Sequence, residues 1–169
     1  MNADDLRALQ APLKSRYRET PDAAVITLMA EGALDDQEIA CSVETGKALV
    51  RAGLHPATGG DGSFACSGDM LLQALAACAG VTLKAVAKVL GINLRCGKVR
   101  CEGDLDFRGT LGVEKTAPVG FKTIRLAFDL DTDADKESVA KLLQLTERYC
   151  VVFQTLKSPP QVTASVNRA

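Results

Sequence analysis

The sequence predicts one domain in which helices and strands fall into separate blocks, and three observations carry that expectation. A Leu-rich helical stretch opens the chain, β-type runs fill 25–54 and 94–130, and a long Ala- and Leu-rich helical segment lies between the two strand blocks. With 169 residues and 47% hydrophobic content, the chain can bury one compact core or act as a protomer that completes its core against a second copy.

The elements follow in order. Leu6, Leu9 and Leu13 recur at helical spacing, and Thr20-Pro21-Asp22 ends the pattern, so residues 1–22 are expected to form a helical arm. Residues 25–54 contain VITLMAEGAL, EIACSVE and ALVRAGL, separated by Asp35-Asp36 and Thr45-Gly46-Lys47, which predicts a meander of about three antiparallel strands. HPATGGDGSFACSG, residues 55–68, carries four glycines and one proline without periodicity and predicts a surface loop of a length that often serves function. Residues 69–91 form the central helix, apolar nearly all round and ended by Gly91; a helix of that kind is expected to be buried on most sides. Strands return over 94–130. A second helix over 133–150 has possible N-caps in Asp131 to Asp135 and a face marked by Val139, Leu142, Leu143, Thr146, Tyr149 and Cys150. After Ser158-Pro159-Pro160, QVTASV at 161–166 reads as a closing strand.

Charge and topology narrow the function. Twenty basic and 21 acidic residues give a net charge of -1 with no basic patch, so small-molecule chemistry is expected rather than nucleic-acid binding. The N-terminus MNADDLRALQ lacks the basic and apolar regions of a secretory signal, and the apolar run Met70 to Leu83 is short and followed by Lys84 and Lys88; both point to a cytoplasmic protein without a membrane span.

Six cysteines in a reducing compartment call for reactivity or packing rather than a disulfide framework. No CxxC occurs, His55 is the sole histidine, and the five-residue spacing of Cys96 and Cys101 puts them on opposite faces of a strand, so no metal site is expected. Cys41, Cys96 and Cys101 read as packing residues. Cys66, in the glycine-rich loop, is read the same way, although a thiol there could reach a site at the following helix; His55 is a loop residue that could line a pocket mouth. Cys78 has small neighbours at Ala74, Ala77, Ala79 and Gly80 and a hydroxyl one turn on at Thr82, which suits either tight packing or access to its sulfur. Cys150 follows Arg148 and Tyr149, and a cation so close would favour a thiolate.

SGDMLLQALAACAGVTL resembles the central-helix motif of the OsmC/Ohr family, and RYCVVFQTL with its closing strand resembles that family's second cysteine segment. The resemblance covers 25–166. It implies an α+β fold in which two protomers intertwine and their sheets wrap two central cysteine helices. It also implies thiol-dependent reduction of organic hydroperoxides, with Cys78 as the attacking thiolate, Cys150 as the resolving thiol, an apolar pocket including Leu71 and Leu75, no bound cofactor, and an external dithiol reductant of lipoyl type.

The chain departs from the pattern at several points. Gly68 stands where the hydroperoxidase branch has Glu, Ser67 where proline is common, and Val151 where proline commonly follows the second cysteine. Asp69 matches the acidic position of the broader OsmC-like branch, with helix N-capping, worth about 1 kcal/mol, as the alternative role. No arginine occurs between Arg18 and Arg51, so the thiolate-stabilising cation is assigned to Arg51, a solvated strand residue on the alternative reading, and then to Arg148. These departures define a rival function: an OsmC-like module that binds a small apolar molecule without peroxide chemistry.

Overall fold

The computed structural model describes residues 2–20, 32–34, 40–44, 49–112 and 114–166. It has the mixed helix-and-strand organisation expected, with two compact units: Met1–Gln73 with Arg100–Ala127, and Ala74–Val99 with Phe128–Ala169.

In the first unit, α1 (Ala3–Glu19) starts from a reciprocal cap. The Asp5 amide donates to the Asn2 side chain at 2.8 Å and the Asn2 amide to the Asp5 carboxylate at 2.9 Å, satisfying donors that a helix start otherwise leaves open. Strands β1 (Gly32–Leu34), β2 (Ala40–Glu44) and β3 (Leu49–Gly53) form the antiparallel meander, and β4 (Ala65–Cys66) adds to β3 in parallel, pairing Ala52 with Ala65 and Gly53 with Cys66. The part of the meander expected at 25–31 lies outside the described residues. Gly53 is needed where it stands: a Cβ there would lie 2.8 Å from the Phe64 ring. The glycine-rich loop is more ordered than its composition suggests, since Pro56–Thr58 makes a 3-10 turn ended by Gly59 at φ +95°.

Helix α2 (Ser67–Leu90) begins two residues earlier than expected, which puts Asp69 inside the first turn. N-capping is therefore not its role; a carboxylate there still complements the helix dipole. The helix is also not covered on most sides. One stripe, Leu75, Ala79, Leu83 and Ala87, is buried, while Leu71, Val81 and Val89 are exposed. The spacing of four keeps that stripe on one face. With 24 residues, α2 is long and apolar enough to cross a membrane by length and composition, so the expected argument from shortness does not hold.

In the second unit, Leu83 and Ala87 pack with fully buried Leu142, and Val86, Ile92, Leu94, Phe128, Leu130 and Leu143 surround them. Gly80 admits Val99 close to the helix, since a Cβ on Gly80 would already lie 3.4 Å from it. Strands β5 (Cys96–Asp104) and β6 (Thr123–Asp131) form a two-stranded sheet with alternating exposure, joined through the short helix α3 (Phe107–Thr110). Cys96 is exposed and Cys101 half-buried, as opposite strand faces require.

The second helix expected over 133–150 is two helices. Asp135 caps α4 (Lys136–Tyr149), accepting the Ser138 amide at 2.7 Å, and α5 (Val151–Lys157) follows immediately. Cys150 separates them with extended dihedrals, φ -74° and ψ 108°. Tyr149, expected on the buried face, is 59% exposed, whereas Thr146 and Cys150 are buried. Residues 161–166, expected as a closing strand, pair with no strand among the described residues, and Val162 and Val166 are exposed. A strand needs a laddered neighbour for its backbone groups, and nothing among the described residues pairs with this segment.

Candidate functional site

The break at Cys150 creates the site. The Cys150 amide donates to the Thr146 carbonyl at 2.9 Å, completing α4, and the Gln154 amide donates to the Cys150 carbonyl at 2.9 Å, starting α5. The Thr146 hydroxyl donates to the Leu142 carbonyl at 2.8 Å inside the core, and the Gln154 side chain donates to the Glu147 carbonyl at 2.8 Å, which ties the two helices together. The amides of Val151, Val152 and Phe153, at the start of α5, have no acceptor within the helix itself and enter the site as donors.

Those donors meet two sulfurs. Burial is the largest single influence on Cys78 and pushes its pKa up, but the Val152 amide, the Cys150 side chain, the Val151 amide and the Thr82 hydroxyl together outweigh it and hold the thiol below its ordinary value. Cys150 shifts the other way. Its own burial raises it most, the Phe153 and Val152 amides pull it down, and its bond to Cys78 together with the charge on Cys78 raises it further. The two shifts have opposite signs: the Cys78 thiol is held below its ordinary value and the Cys150 thiol above it. Cys78 is half-buried and Cys150 fully buried, so of the two only Cys78 is open to an incoming molecule.

Cys78 and Cys150, singled out from separate stretches of sequence, are thus within hydrogen-bonding reach of each other. The other candidates are not at the pair in the same way. Arg148 is exposed, with its guanidinium 5.7 Å from the Tyr149 ring centre. Arg51 lies 4.4 Å over the Phe64 ring. Arg148 is not among the groups that lower the Cys78 pKa, which are neutral donors. Asp69 sits nine residues before Cys78 on α2, which is two and a half helical turns, or about 13 Å along the axis and on the opposite face.

Sequence reasoning missed the amides of Val151 and Val152, because a backbone donor leaves no residue type to find. A signal was present in the helical spacing of Val152, Phe153 and Leu156, which marks a short helix starting right after Cys150. Among the described residues, no group of three or more His, Cys, Asp or Glu side chains is arranged to hold a metal ion.

Comparisons with known proteins agree with this architecture. The chain resembles an OsmC-like protein from Mycoplasma pneumoniae, with 15% identity over 79% of this chain and 89% of that one at a TM-score of 0.66. It is similar to an organic hydroperoxide resistance protein OsmC from Legionella pneumophila, also described as a predicted redox protein, with 17% identity, 79% and 91% coverage and a TM-score of 0.62. It is equally similar in fold to an OsmC-like protein of unknown function from Vibrio cholerae, with 11% identity, 78% and 94% coverage and a TM-score of 0.62. At such identities these likenesses establish an α+β fold of OsmC type. No curated protein matches the sequence. The OsmC-like protein family itself matches residues 60–165, a span that contains both cysteines and the helices that carry them, and the chain belongs to that family.

Proposed function

We propose that this protein is a thiol peroxidase that reduces organic hydroperoxides to alcohols in oxidative-stress defence. The observation that carries the reading is Cys78 and Cys150 in hydrogen-bonding reach, with the Cys78 thiol pulled below its ordinary pKa and the buried Cys150 thiol pushed above it. The Cys78 sulfur attacks the terminal peroxide oxygen, the O–O bond breaks, and the alkoxide leaves as alcohol after taking a proton. Cys78 is left as a sulfenic acid. The Cys150 sulfur then attacks the Cys78 sulfur, water leaves with the sulfenic oxygen, and an S–S bond joins the pair. An external dithiol, of lipoyl type, returns both thiols, so the protein requires no bound metal, flavin or haem. The amides of Val151 and Val152 and the Thr82 hydroxyl take the part of the missing cation, as preorganised donors to the sulfur. Val151 matters here because the proline common at that position has no N–H to give.

The same reading has the protein act in the cytoplasm as a homodimer. Support for the dimer comes from the exposed side of α2, with Val81 73% and Val89 46% exposed, and from the unpaired segment 161–166. Light scattering is expected to give twice the 17.8 kDa of one chain, and a mass near 17.8 kDa removes the dimer.

One observation favours the rival module that binds a small apolar molecule: the groups that lower Cys78 are neutral donors, which stabilise developing charge on a leaving oxygen less than a cation would. Cumene hydroperoxide decides between the two. Pre-reduced wild-type protein is expected to consume one equivalent rapidly and lose two hydrogens in mass as Cys78 and Cys150 join. Cys78→Ser is expected to be inert, and Cys150→Ser to stop with one oxygen on Cys78. Equal, slow consumption by all three proteins overturns the peroxidase reading and leaves the binding module.

A further inference from the structure

The unit formed by Met1–Gln73 and Arg100–Ala127 holds a cavity of about 130 Å³ that brings together His55, Cys66 and Asp69, none of which the Cys78–Cys150 chemistry uses. Its walls include Phe107 and Phe121. His55 is fixed there from two sides: Nδ1 accepts the Ala57 amide at 3.0 Å, and the ring stacks on Phe107 with centroids 4.9 Å apart and an interplanar angle of 19°. With Nδ1 so engaged, the neutral ring carries its proton on Nε2 and offers a donor.

The space exists because residue 68 is glycine. A Cβ at Gly68 would lie 3.5 Å from the Cys66 sulfur and 3.5 Å from the Phe121 ring, in ordinary contact, so a longer side chain would grow into the volume bordered by the thiol. Cys66 is half-buried, accessible enough to react yet walled on several sides. The cavity has the volume of about four waters at roughly 30 Å³ each, which admits a chain of about four non-hydrogen atoms. Asp69 gives it one negative charge, and no lysine or arginine lines it.

We propose that this cavity is a second thiol site, at which Cys66 exchanges with small disulfides that carry ammonium arms and keeps one half as a mixed disulfide. The Cys66 thiol loses its proton to water, and its sulfur attacks one sulfur of the disulfide. The S–S bond of the reagent breaks, a Cys66 S–S bond forms, and the other half leaves as a thiolate that is protonated from water. The retained arm has sulfur, two carbons and an ammonium nitrogen, which matches the cavity in size and Asp69 in charge. This site is independent of the peroxidase reading, since it shares no residue with the cysteine pair.

The test uses wild-type protein and three reagents of similar size: cystamine, 2-hydroxyethyl disulfide and dithiodiglycolate, which are cationic, neutral and anionic. Peptide mapping by mass follows the adduct at Cys66 and, as the reference, at exposed Cys96. Relative to Cys96, Cys66 is expected to react about tenfold faster with cystamine than with dithiodiglycolate, with the neutral reagent between them. Asp69→Asn is expected to flatten that order. Gly68→Val, which fills the cavity, is expected to cut the cystamine rate at Cys66 at least tenfold while circular dichroism shows a folded chain. A Cys66 rate with no charge order relative to Cys96 in the wild type overturns the proposal, whether or not the variants fold.

Discussion

Cys78 and Cys101 are both half-buried thiols, yet their surroundings push them in opposite directions. Burial raises Cys101, and the neighbouring Glu102 carboxylate raises it further. Burial raises Cys78 as well, but two amides from the start of α5, a hydroxyl one helical turn away and the Cys150 thiol reverse the sign. Partial burial by itself therefore decides nothing about thiol reactivity. What decides it is whether donors converge on the sulfur, and on β5 the next residue in the chain, Glu102, adds a negative charge instead.

That difference rests on the α4–α5 junction, so the largest effect should come from loosening its support. Leu142→Ala empties a fully buried position in the core beside Leu83 and Ala87 and is expected to cost about 2–5 kcal/mol of stability, read by urea denaturation. A loss below 1 kcal/mol would mean that this core does not hold the junction. Removing one donor is the sharper cut. Val152→Pro deletes the amide that lowers Cys78 most, at a first-turn helix position that tolerates proline, and is expected to slow alkylation of Cys78 at pH 7 about tenfold without changing Cys101. Thr82→Val keeps shape and loses the hydroxyl; a decrease of about threefold is expected in the same assay, consistent with the smallest of the lowering groups. Arg148→Ala should change the Cys78 rate by less than about twofold, because an exposed cation is heavily screened and this one is not among the groups acting on the sulfur. A tenfold fall with Arg148→Ala would restore the cation that the geometry leaves out.

Much of this arrangement was legible in the sequence because it is written in local patterns. The Leu spacing of α1, the alternating runs of β2 and β3, and the Ala- and Leu-rich stretch of α2 each declare their own period. Cys78 and Cys150 stood out through resemblance to family motifs, while their partnership required the fold. What residue types could not declare was the donor role of the α5 start, because Val151 and Val152 act through N–H groups that every residue except proline carries. The exposed side of α2 and the unpaired 161–166 segment show the same limit from another direction. Apolar character announces that a surface is to be covered, and among the described residues nothing covers these.

The most direct measurement is the pH dependence of iodoacetamide labelling at Cys78 and Cys101 in the same wild-type sample, read site by site by mass. A thiol whose folded pKa is lowered gains its reactivity at lower pH and loses it only as pH falls through that lowered value. The Cys78 rate is therefore expected to level off at a lower pH than the Cys101 rate, because the two thiols are shifted in opposite directions. Coincident profiles for the two cysteines would contradict the account, since the donors at the start of α5 would then do nothing for the sulfur they surround.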